Sequence, residues 1–347
     1  MKRPWALPLV PLYAAASALR WTGVQPRRLN QPVISIGSLS AGGAGKTPLT
    51  IALARLLMQH NKPVDILSRG YGRTSNAPTR VNPNGSAEEF GDEPLLIARE
   101  TGAPVYVAAQ RFEAGQLAEF ETRPTGFMHL LDDGFQHRQL HRDINILLVS
   151  PSDLDDHLLP AGNRREPLSA LKRADVFAID VAADPPQFGN RLRQLAAAPP
   201  GHEQPIWRYD REVKRPQVSG PITAFCGIAR PEQFFQQLEF FEQQDRETFA
   251  GIIKSPREVE RPWRMQVAAK KAFPDHHRYT ARDLEELRRL ATQSGSTAFV
   301  TTAKDAVRLG PAAQQLGLPL VVADLHVTLL NQPGILNYLF GPQGRLT

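Results

Sequence analysis

The stretch VISIGSLSAGGAGKT, residues 33–47, decides the fold class of this chain. It opens with a short β-branched apolar run, continues as a glycine-rich loop, and ends in Lys46-Thr47 just before an apolar segment at 49–57. The order strand, glycine loop, Lys-Thr and helix is the context of a phosphate-binding P-loop. The pattern departs from the usual motif at Ser40, where glycine is common. A chance glycine-rich turn is the alternative, and the flanking strand and helix argue against it.

The P-loop predicts an ATP or GTP site. Glycines let backbone N–H groups turn inward around phosphate oxygens, and the helix N-terminus adds partial positive charge. Lys46 is expected to reach the β- and γ-phosphates, and the Thr47 hydroxyl is expected to ligate Mg²⁺. The predicted nucleotide-binding residues are Ser40, Ala41, Gly42, Gly43, Ala44, Gly45, Lys46 and Thr47.

Acidic residues at two places are candidates to hold the metal. An apolar run at 127–131 ends in Asp132-Asp133-Gly134, where a strand of a parallel sheet would present a carboxylate at its carboxyl edge. The alternative is an ordinary Asp-Gly turn. Glu93 is the third metal candidate. We predict that one of these three carboxylates ligates Mg²⁺, and the sequence does not say which.

Three further polar stretches have both a structural and a functional interpretation. Gly91-Asp92-Glu93-Pro94 has the composition of an acidic helix start, and Asp92 is also suited to accept a proton from an attacking hydroxyl. The loops at 68–73 and 159–167 carry arginines that suit an anionic or sugar ligand, or ordinary surface charge. His137 and His141 have the spacing of a helical zinc pair but lack the following glutamate, so zinc is not favoured.

Composition bounds the class of protein. A chain of 347 residues predicts two domains, and 41% hydrophobic residues allow a sizeable core. The 41 Lys and Arg against 35 Asp and Glu give a net charge of +6. A single cysteine, Cys226, excludes an intramolecular disulfide and a multi-cysteine metal site. No apolar run is long enough for a conventional membrane-spanning helix.

The N-terminal segment, residues 1–28, has three interpretations. Residues 4–19 carry no charge and are flanked by basic residues, as in a signal peptide, a buried core helix or an interfacial anchor. Taken alone, the segment favours a signal peptide. A nucleotide site implies the cytosol, so with the P-loop downstream we expect an anchor at an anionic membrane surface.

Proline marks the predicted domain boundary. Five prolines lie between 199 and 221, which predicts a linker or hinge there rather than a helix. We therefore expect a P-loop kinase domain at 29–198, a linker at 199–221 and a smaller α/β domain at 222–347. The predicted fold class is α/β: an α/β/α main lobe with a parallel-type sheet, a smaller α/β lobe, and an N-terminal interfacial helix.

Seven motifs in order resemble one known family. They are Ser-x-x-x-Gly-Gly-x-Gly-Lys-Thr-Pro at 38–48, Ser-Arg-Gly-Tyr-Gly at 68–72, Gly-Asp-Glu-Pro at 91–94, Asp-Asp-Gly-Phe-Gln-His at 132–137, Leu-Pro-Ala-Gly with a later Arg-Glu at 159–166, Asp-His at 275–276 and Lys-Asp-Ala-Val at 304–307. Together they resemble the tetraacyldisaccharide 4′-kinases, the lipid A 4′-kinases of Gram-negative bacteria. The resemblance covers nearly the whole chain, and that family tolerates Ser or Thr at the position of Ser40.

The resemblance implies an activity and a place in the cell. Such enzymes transfer the γ-phosphate of ATP, with Mg²⁺, to the 4′-hydroxyl of a tetraacylated glucosamine disaccharide 1-phosphate, which gives lipid IVA. They act peripherally or monotopically at the cytoplasmic face of the inner membrane, so the expected partners are this lipid and the inner leaflet, with no nucleic acid. The sequence carries no signal for an oligomeric state.

The resemblance also assigns residues. It implies Asp92 as catalytic base, His276 as the residue that raises its competence, and Lys46 as the third catalytic group. The substrate-binding residues that it implies are Arg69, Tyr71, Gln136, His137, Arg165 and Glu166. Asn163 and Arg164 stand where less polar residues are expected.

Other functions remain open from the residues alone. A kinase for another lipid or polyprenol acceptor would share these motifs, because residue types do not define the acceptor pocket. A membrane-associated regulatory ATPase of the deviant P-loop type would have a lysine at the position of Ala41, which argues against it. A non-catalytic nucleotide-binding scaffold would tolerate loss of the Asp92 carboxylate.

Overall fold

The computed structural model describes residues 3–43, 45–121, 126–197, 204–240 and 265–346. The chain divides into two compact units. The larger unit holds Met1–Gly85, Glu89–Arg211 and Val327–Thr347, and the smaller one holds Ser86–Glu88 and Glu212–His326. Both units combine strands with helices, as the sequence predicts.

The strands and helices follow one another along the chain with frequent alternation. The strands are β1 (Val33–Ser38), β2 (Val64–Ser68), β3 (Thr79–Arg80), β4 (Val105–Val107), β5 (Met128–Asp132), β6 (Ile144–Leu148), β7 (Val176–Asp180), β8 (Ile206–Val213), β9 (Gly220–Cys226), β10 (Met265–Ala272), β11 (Ala298–Thr302), β12 (Leu320–Ala323) and β13 (Leu325–Leu329). The helices are α1 (Val10–Leu19), α2 (Lys46–Gln59), α3 (Ala87–Phe90), α4 (Asp92–Thr101), α5 (Arg111–Glu121), α6 (Pro151–Asp155), α7 (Phe188–Ala196), α8 (described over 231–240), α9 (Ala281–Gln293), α10 (Ala303–Leu309) and α11 (Gln332–Phe340).

The larger unit is built on a sheet in the order β13-β8-β7-β6-β1-β5-β2-β4-β3. Strand β1 lies at its centre and pairs in parallel with β5 and β6, with Ile34 opposite Leu130 and Ile144. All six residues of β1 are buried, as expected for a central parallel strand covered on both faces. The predicted parallel-type sheet is confirmed, with an antiparallel edge where β3 pairs with β4.

Helices cover this sheet on both faces because side chains alternate along each strand. Val33 and Leu131 pack in one cluster with Ala114 and Ala118 of α5. Their neighbours in sequence point to the other face, where α2 contacts β1, β5 and β2. The P-loop at the end of β1 and the aspartates at the end of β5 therefore meet at one edge of the sheet.

The smaller unit has a sheet in the order β10-β9-β11-β12 with parallel pairing throughout its described strands. Phe225 and Phe299 pack with Leu284 and Leu287 of α9 on one side. Helix α9 begins with a capping box, in which Thr280 and Asp283 exchange side-chain and backbone hydrogen bonds.

The division of the chain differs from the sequence prediction at two places. The segment from Val327 onward belongs to the larger unit, where β13 extends the sheet beside β8 and Tyr338 of α11 packs edge-on against Trp207. The expected linker at 199–221 contains β8, and its residues 199–203 lie outside the described residues. The sequence pattern of a strand does not say which sheet the strand joins, and the smaller compact unit ends at His326 rather than at residue 347.

Candidate active site at the P-loop edge of the sheet

The loop between β1 and α2 has the backbone of a phosphate cradle. Gly42, Gly43 and Gly45 have φ angles of 70°, 59° and 85°, a region that glycine enters without steric cost. Gly45 precedes the first turn of α2, and among the described residues no side chain caps this turn. The first N–H groups of the helix are therefore available to an anion. Ala44, also predicted to bind nucleotide, lies outside the described residues.

A second segment braces the outer side of this loop. The N–H of Ala41 donates to the Asn163 carbonyl at 2.8 Å, and the N–H of Arg165 donates to the Leu39 carbonyl at 2.7 Å. The buried Ser40 hydroxyl donates to the carboxylate of Asp153. The polar residue at 163, whose role the sequence left open, thus supports the P-loop through its backbone. The side chain of Ser40 is thus hydrogen-bonded to another side chain of the same unit, Asp153.

Lys46 and Asp133 form the electrostatic centre of the site. The Lys46 ammonium lies 3.6 Å from Oδ1 of Asp133 and 3.4 Å from the Ser38 hydroxyl, and its side chain is only 12% exposed. Arg165 donates to both oxygens of Asp133, at 3.1 and 2.9 Å. Burial raises the pKa of Asp133, but Lys46, Arg165 and Arg111 outweigh burial and hold this pKa below its usual value. Asp133 is therefore an ionised partner for these cations near neutral pH.

Asp132 occupies a different environment from its neighbour. It is 2% exposed, and one of its oxygens accepts a hydrogen bond from the Thr50 hydroxyl at 3.1 Å. Thr47, one turn earlier on α2, is also buried. Carboxylate and hydroxyl oxygens are the ligands that Mg²⁺ prefers, and they stand beside a phosphate cradle, so the donor set fits the ion. Among the described residues, no cluster of three or more His, Cys, Asp or Glu side chains forms a site made of protein ligands alone.

The turn after β5 is tightly joined to β1. A Cβ atom at Gly37 would lie 2.5 Å from Cβ of Phe135, so only glycine allows the turn to approach the strand. Gln136 donates to the Ser38 carbonyl at 2.9 Å and accepts from Arg165 at 3.2 Å. This close approach brings the predicted Asp-Asp-Gly-Phe-Gln-His motif to the P-loop.

Arg111 is a site residue that the sequence analysis missed. It opens α5, and burial lowers its pKa to about 10 while Asp133 and Asp132 act in the opposite direction. Its Nε is buried with no hydrogen-bond partner in the described part of the chain. The same cation acts on His137, whose pKa is lowered to about 3 by burial and then by Arg111 and other arginines. His137 is therefore neutral at physiological pH.

Glu166 has a structural environment in this unit. It is 4% exposed, and one carboxylate oxygen accepts from Arg138 at 2.8 Å and from Arg173 at 2.6 Å. The neighbouring Arg165 instead pairs with Asp133 beside the P-loop. The two residues of the predicted Arg-Glu pair therefore have different partners. The carbonyl of Arg165 accepts a hydrogen bond from Tyr13 of α1 at 3.1 Å.

Two other predicted motifs lie against each other. A Cβ atom at Gly91, where φ is 91°, would lie 3.0 Å from the Tyr71 carbonyl and 3.1 Å from Gly70. This contact brings the loop with exposed Arg69 and Tyr71 to the start of α4, where Asp92 is 6% exposed and accepts from the Glu93 N–H at 2.9 Å. The loop at 68–73 and the start of α4, with the buried Asp92 carboxylate, are thus packed against each other.

His276 lies in the smaller unit, on the segment between β10 and α9. Its φ angle is 57°, and its Nδ1 lies 3.4 Å from a guanidinium nitrogen of Arg308. The adjacent His277 has a different environment, because its ring stacks on Phe273 and its Nε2 lies 3.1 Å from Asp283. The two adjacent histidines are thus structurally distinct.

Comparison with known proteins identifies the family. The family model described as tetraacyldisaccharide-1-P 4′-kinase matches residues 3–250 and 241–340. The chain belongs to this family. A tetraacyldisaccharide 4′-kinase of Koribacter versatilis is 39% identical over 93% of this chain and 94% of the relative, and one of Geobacter metallireducens is 36% identical over 88% and 86%. The crystal structure of LpxK from Aquifex aeolicus in complex with ATP covers 97% of this chain and 98% of that one, with a TM-score of 0.69 and 30% identity.

In this member of the tetraacyldisaccharide 4′-kinase family, the N-terminal segment exposes several large apolar side chains. Trp5, Leu12 and Leu19 are 75%, 69% and 72% exposed, whereas Ala6 is fully buried. A hydrogen bond from the Arg3 N–H to the Ala161 carbonyl at 2.7 Å holds this segment to the stretch that supports the P-loop through Asn163 and Arg165. Within the described residues, no helix combines the length and the apolar character needed to cross a bilayer.

Proposed function

We propose that this member of the tetraacyldisaccharide 4′-kinase family transfers the γ-phosphate of ATP to the 4′-hydroxyl of a tetraacylated glucosamine disaccharide 1-phosphate, which gives lipid IVA for lipid A biosynthesis. The observation that carries the proposal is the phosphate cradle, which contains a nearly buried Lys46 and adjoins Asp132 and Asp133 at the end of β5. The family match over most of the chain supplies the acceptor.

Charge neutralisation is the main task of the residues around the cradle. Lys46 is placed at the N-terminus of α2, where it and the first N–H groups suit the β- and γ-phosphates. Bound Mg²⁺ would supply further neutralisation of phosphate charge. We propose that Thr47 and Asp132 hold it, with Thr50 orienting the carboxylate of Asp132. Asp133 and Glu93 remain the other candidate ligands, and the ion pair of Asp133 with Arg165 argues for a structural role.

Proton removal from the acceptor hydroxyl is assigned to Asp92. Its position at the first turn of α4 holds the carboxylate in place through the Glu93 N–H. An oriented carboxylate base contributes about 10²–10⁴-fold to such a transfer. We retain His276 as the residue that raises the competence of this base, and Arg69, Tyr71, Gln136, His137, Arg165 and Glu166 as the residues that form or support the acceptor site.

The lipid acceptor accounts for the exposed apolar side chains of the N-terminal segment. Trp5, Leu12 and Leu19 are suited to enter the interfacial region of a membrane, and the basic flanks suit anionic headgroups. We therefore propose peripheral or monotopic attachment to the cytoplasmic face of the inner membrane. The acyl chains of the substrate provide a second attachment.

The test is transfer of labelled γ-phosphate from Mg²⁺-ATP to tetraacyldisaccharide 1-phosphate in detergent micelles. Wild type is compared with Asp92→Asn, and Asp155→Asn, a carboxylate that is 61% exposed and paired with Arg191, is the matched control. We expect transfer by wild type and the control, and a loss of at least 10²-fold in Asp92→Asn with ATP binding retained. Absence of transfer by folded, ATP-binding wild type would refute the acceptor, and full activity of Asp92→Asn would refute the base.

A further inference from the structure

A buried carboxylate in the smaller unit organises the groups beside His276. Asp305 is fully buried, and its Oδ1 accepts from the Gly227 N–H at 3.0 Å, the Tyr279 hydroxyl at 2.9 Å and Arg308 at 3.0 Å. Its other oxygen accepts from the Thr302 hydroxyl at 2.6 Å. A buried charge with this many donors is held in one place.

Arg308 is fixed by this carboxylate and reaches His276 with its other arm. Its side chain is 6% exposed, and Nη1 donates both to Asp305 and to the Gly227 carbonyl. The second nitrogen, Nη2, lies 3.4 Å from Nδ1 of His276. The planar guanidinium thus transmits the position of the buried carboxylate to the imidazole.

The direction of this contact determines the tautomer of the imidazole. An arginine side chain has only hydrogen-bond donors, so the nitrogen that faces it must be the acceptor. A neutral imidazole has one donor and one acceptor nitrogen, and therefore His276 carries its proton on Nε2. Nε2 lies on the side of Asp275, 4.0 Å from its carboxylate, with the His276 side chain 34% exposed.

The backbone conformation of His276 is a second sign that its surroundings fix this residue. Its φ of 57° lies in a region that residues other than glycine rarely enter, although histidine does so more often than most. The Asp275 carboxylate accepts the His276 N–H at 3.0 Å and stabilises this turn. Such conformations persist where the surroundings fix them, and they are enriched at functional sites.

We infer that Arg308, anchored by Asp305, is a positioning residue that holds His276 as the Nε2–H tautomer, with Nε2–H directed away from the arginine as a hydrogen-bond donor. This inference rests on the proposed function for the catalytic role of His276. The tautomer itself is a property of the smaller unit and is measurable without any substrate.

The first experiment reads the tautomer directly in the full chain. The protein is labelled with ¹⁵N-histidine, and the ring nitrogens of His276 are assigned by comparison with His276→Gln at pH 8, above the ordinary histidine pKa of about 6.5. Arg308→Lys is the key variant, because lysine keeps the charge beside Asp305 but lacks the second arm of the fork. Tyr279→Phe is the matched control, because it removes one donor from the same carboxylate and leaves Arg308 intact.

We expect a protonated Nε2 in wild type and in Tyr279→Phe, and a mixture of tautomers in Arg308→Lys. Phosphate transfer is then measured with the same proteins. In Arg308→Lys we expect kcat to fall on the order of 10- to 100-fold with the KM for ATP within twofold of wild type, as for a misplaced catalytic group.

Two results would overturn the inference. A proton on Nδ1 in wild type would contradict the direction of the contact, and an unchanged tautomer together with unchanged kcat in Arg308→Lys would show that Arg308 has no positioning role. If wild type has the expected tautomer but transfers no phosphate, the proposed function fails and the tautomer assignment stands.

Discussion

Raising the pH from 6 to 10 is expected to weaken the larger unit through His129. The ring is completely buried on β5, with Nδ1 2.7 Å from a carboxylate oxygen of Asp65 and Nε2 3.6 Å from one of Glu119. Burial lowers the pKa of His129, but the hydrogen bond and charge of Asp65, together with the charge of Glu119, outweigh burial and raise this pKa to about 9. His129 is therefore a cation at neutral pH.

The size of the effect follows from the shift. A pKa that moves from 6.5 to about 9 changes by about 2.5 units, which at 1.36 kcal/mol per unit is about 3 kcal/mol. Because the folded-state pKa lies above the unfolded value, this contribution is fully present below pH 6.5 and is lost as the pH rises through 9. That is a large fraction of the stability of an ordinary domain.

The assay is urea unfolding followed by circular dichroism between pH 6 and 10. Wild type is compared with the double variant Asp65→Asn with His129→Gln, in which neutral amides replace the ion pair. We expect the difference in free energy of unfolding between the two proteins to shift by about 3 kcal/mol in favour of the variant over this range. His141→Gln, at a more exposed histidine that lies 3.4 Å from Asp143, is the control and should change by less than about 1 kcal/mol. A wild-type-to-double-variant difference that stays constant from pH 6 to 10 would refute the charged state of His129.

Three further predictions concern the site and the membrane. Lys46→Ala should lower the single-turnover rate constant of phosphate transfer by about 10²–10³-fold, because a preorganised cation at the phosphates is lost. A loss below about fivefold would contradict the role of Lys46. Thr50→Val should raise the Mg²⁺ concentration for half-maximal transfer about tenfold, because Asp132 loses its hydroxyl partner, and an unchanged Mg²⁺ titration would remove Asp132 from the metal site. Leu12→Asp should abolish co-sedimentation with anionic vesicles while leaving ATP binding intact, since it places a charge on the exposed apolar face, and unchanged co-sedimentation would exclude this face as the attachment.

Much of the larger unit could be predicted from sequence because its signals are local. The P-loop lies within fifteen consecutive residues, and the strand before Asp132 is apolar except for His129. Parallel pairing then brings the ends of β1 and β5 together without any further information. The sequence was sufficient where neighbouring residues in the chain are also neighbours in the site.

Arg111 shows why the rest could not be predicted. It is a single arginine at the start of an ordinary helix, and its importance comes from Asp132 and Asp133, which lie over twenty residues away in sequence. Asp153, which accepts a hydrogen bond from the Ser40 hydroxyl, was missed for the same reason, because it lies far from Ser40 in the sequence. Such residues become visible only when the sheet order is known. The same limit applies to β13, whose apolar alternation fits either sheet.

The balance of charge at the P-loop edge explains how the site is prepared for a nucleotide. Lys46, Arg165 and Arg111 are three cations that act on one carboxylate, Asp133, so positive charge is in excess before any ligand binds. Arg165 holds Asp133 at 2.9 Å, whereas Lys46 stays at 3.6 Å, beyond normal hydrogen-bond distance. The looser partner is the one at the phosphate cradle. We therefore expect Lys46 to exchange this distant carboxylate for nucleotide phosphates at little electrostatic cost, while the ion pair between Arg165 and Asp133 keeps the turn in place.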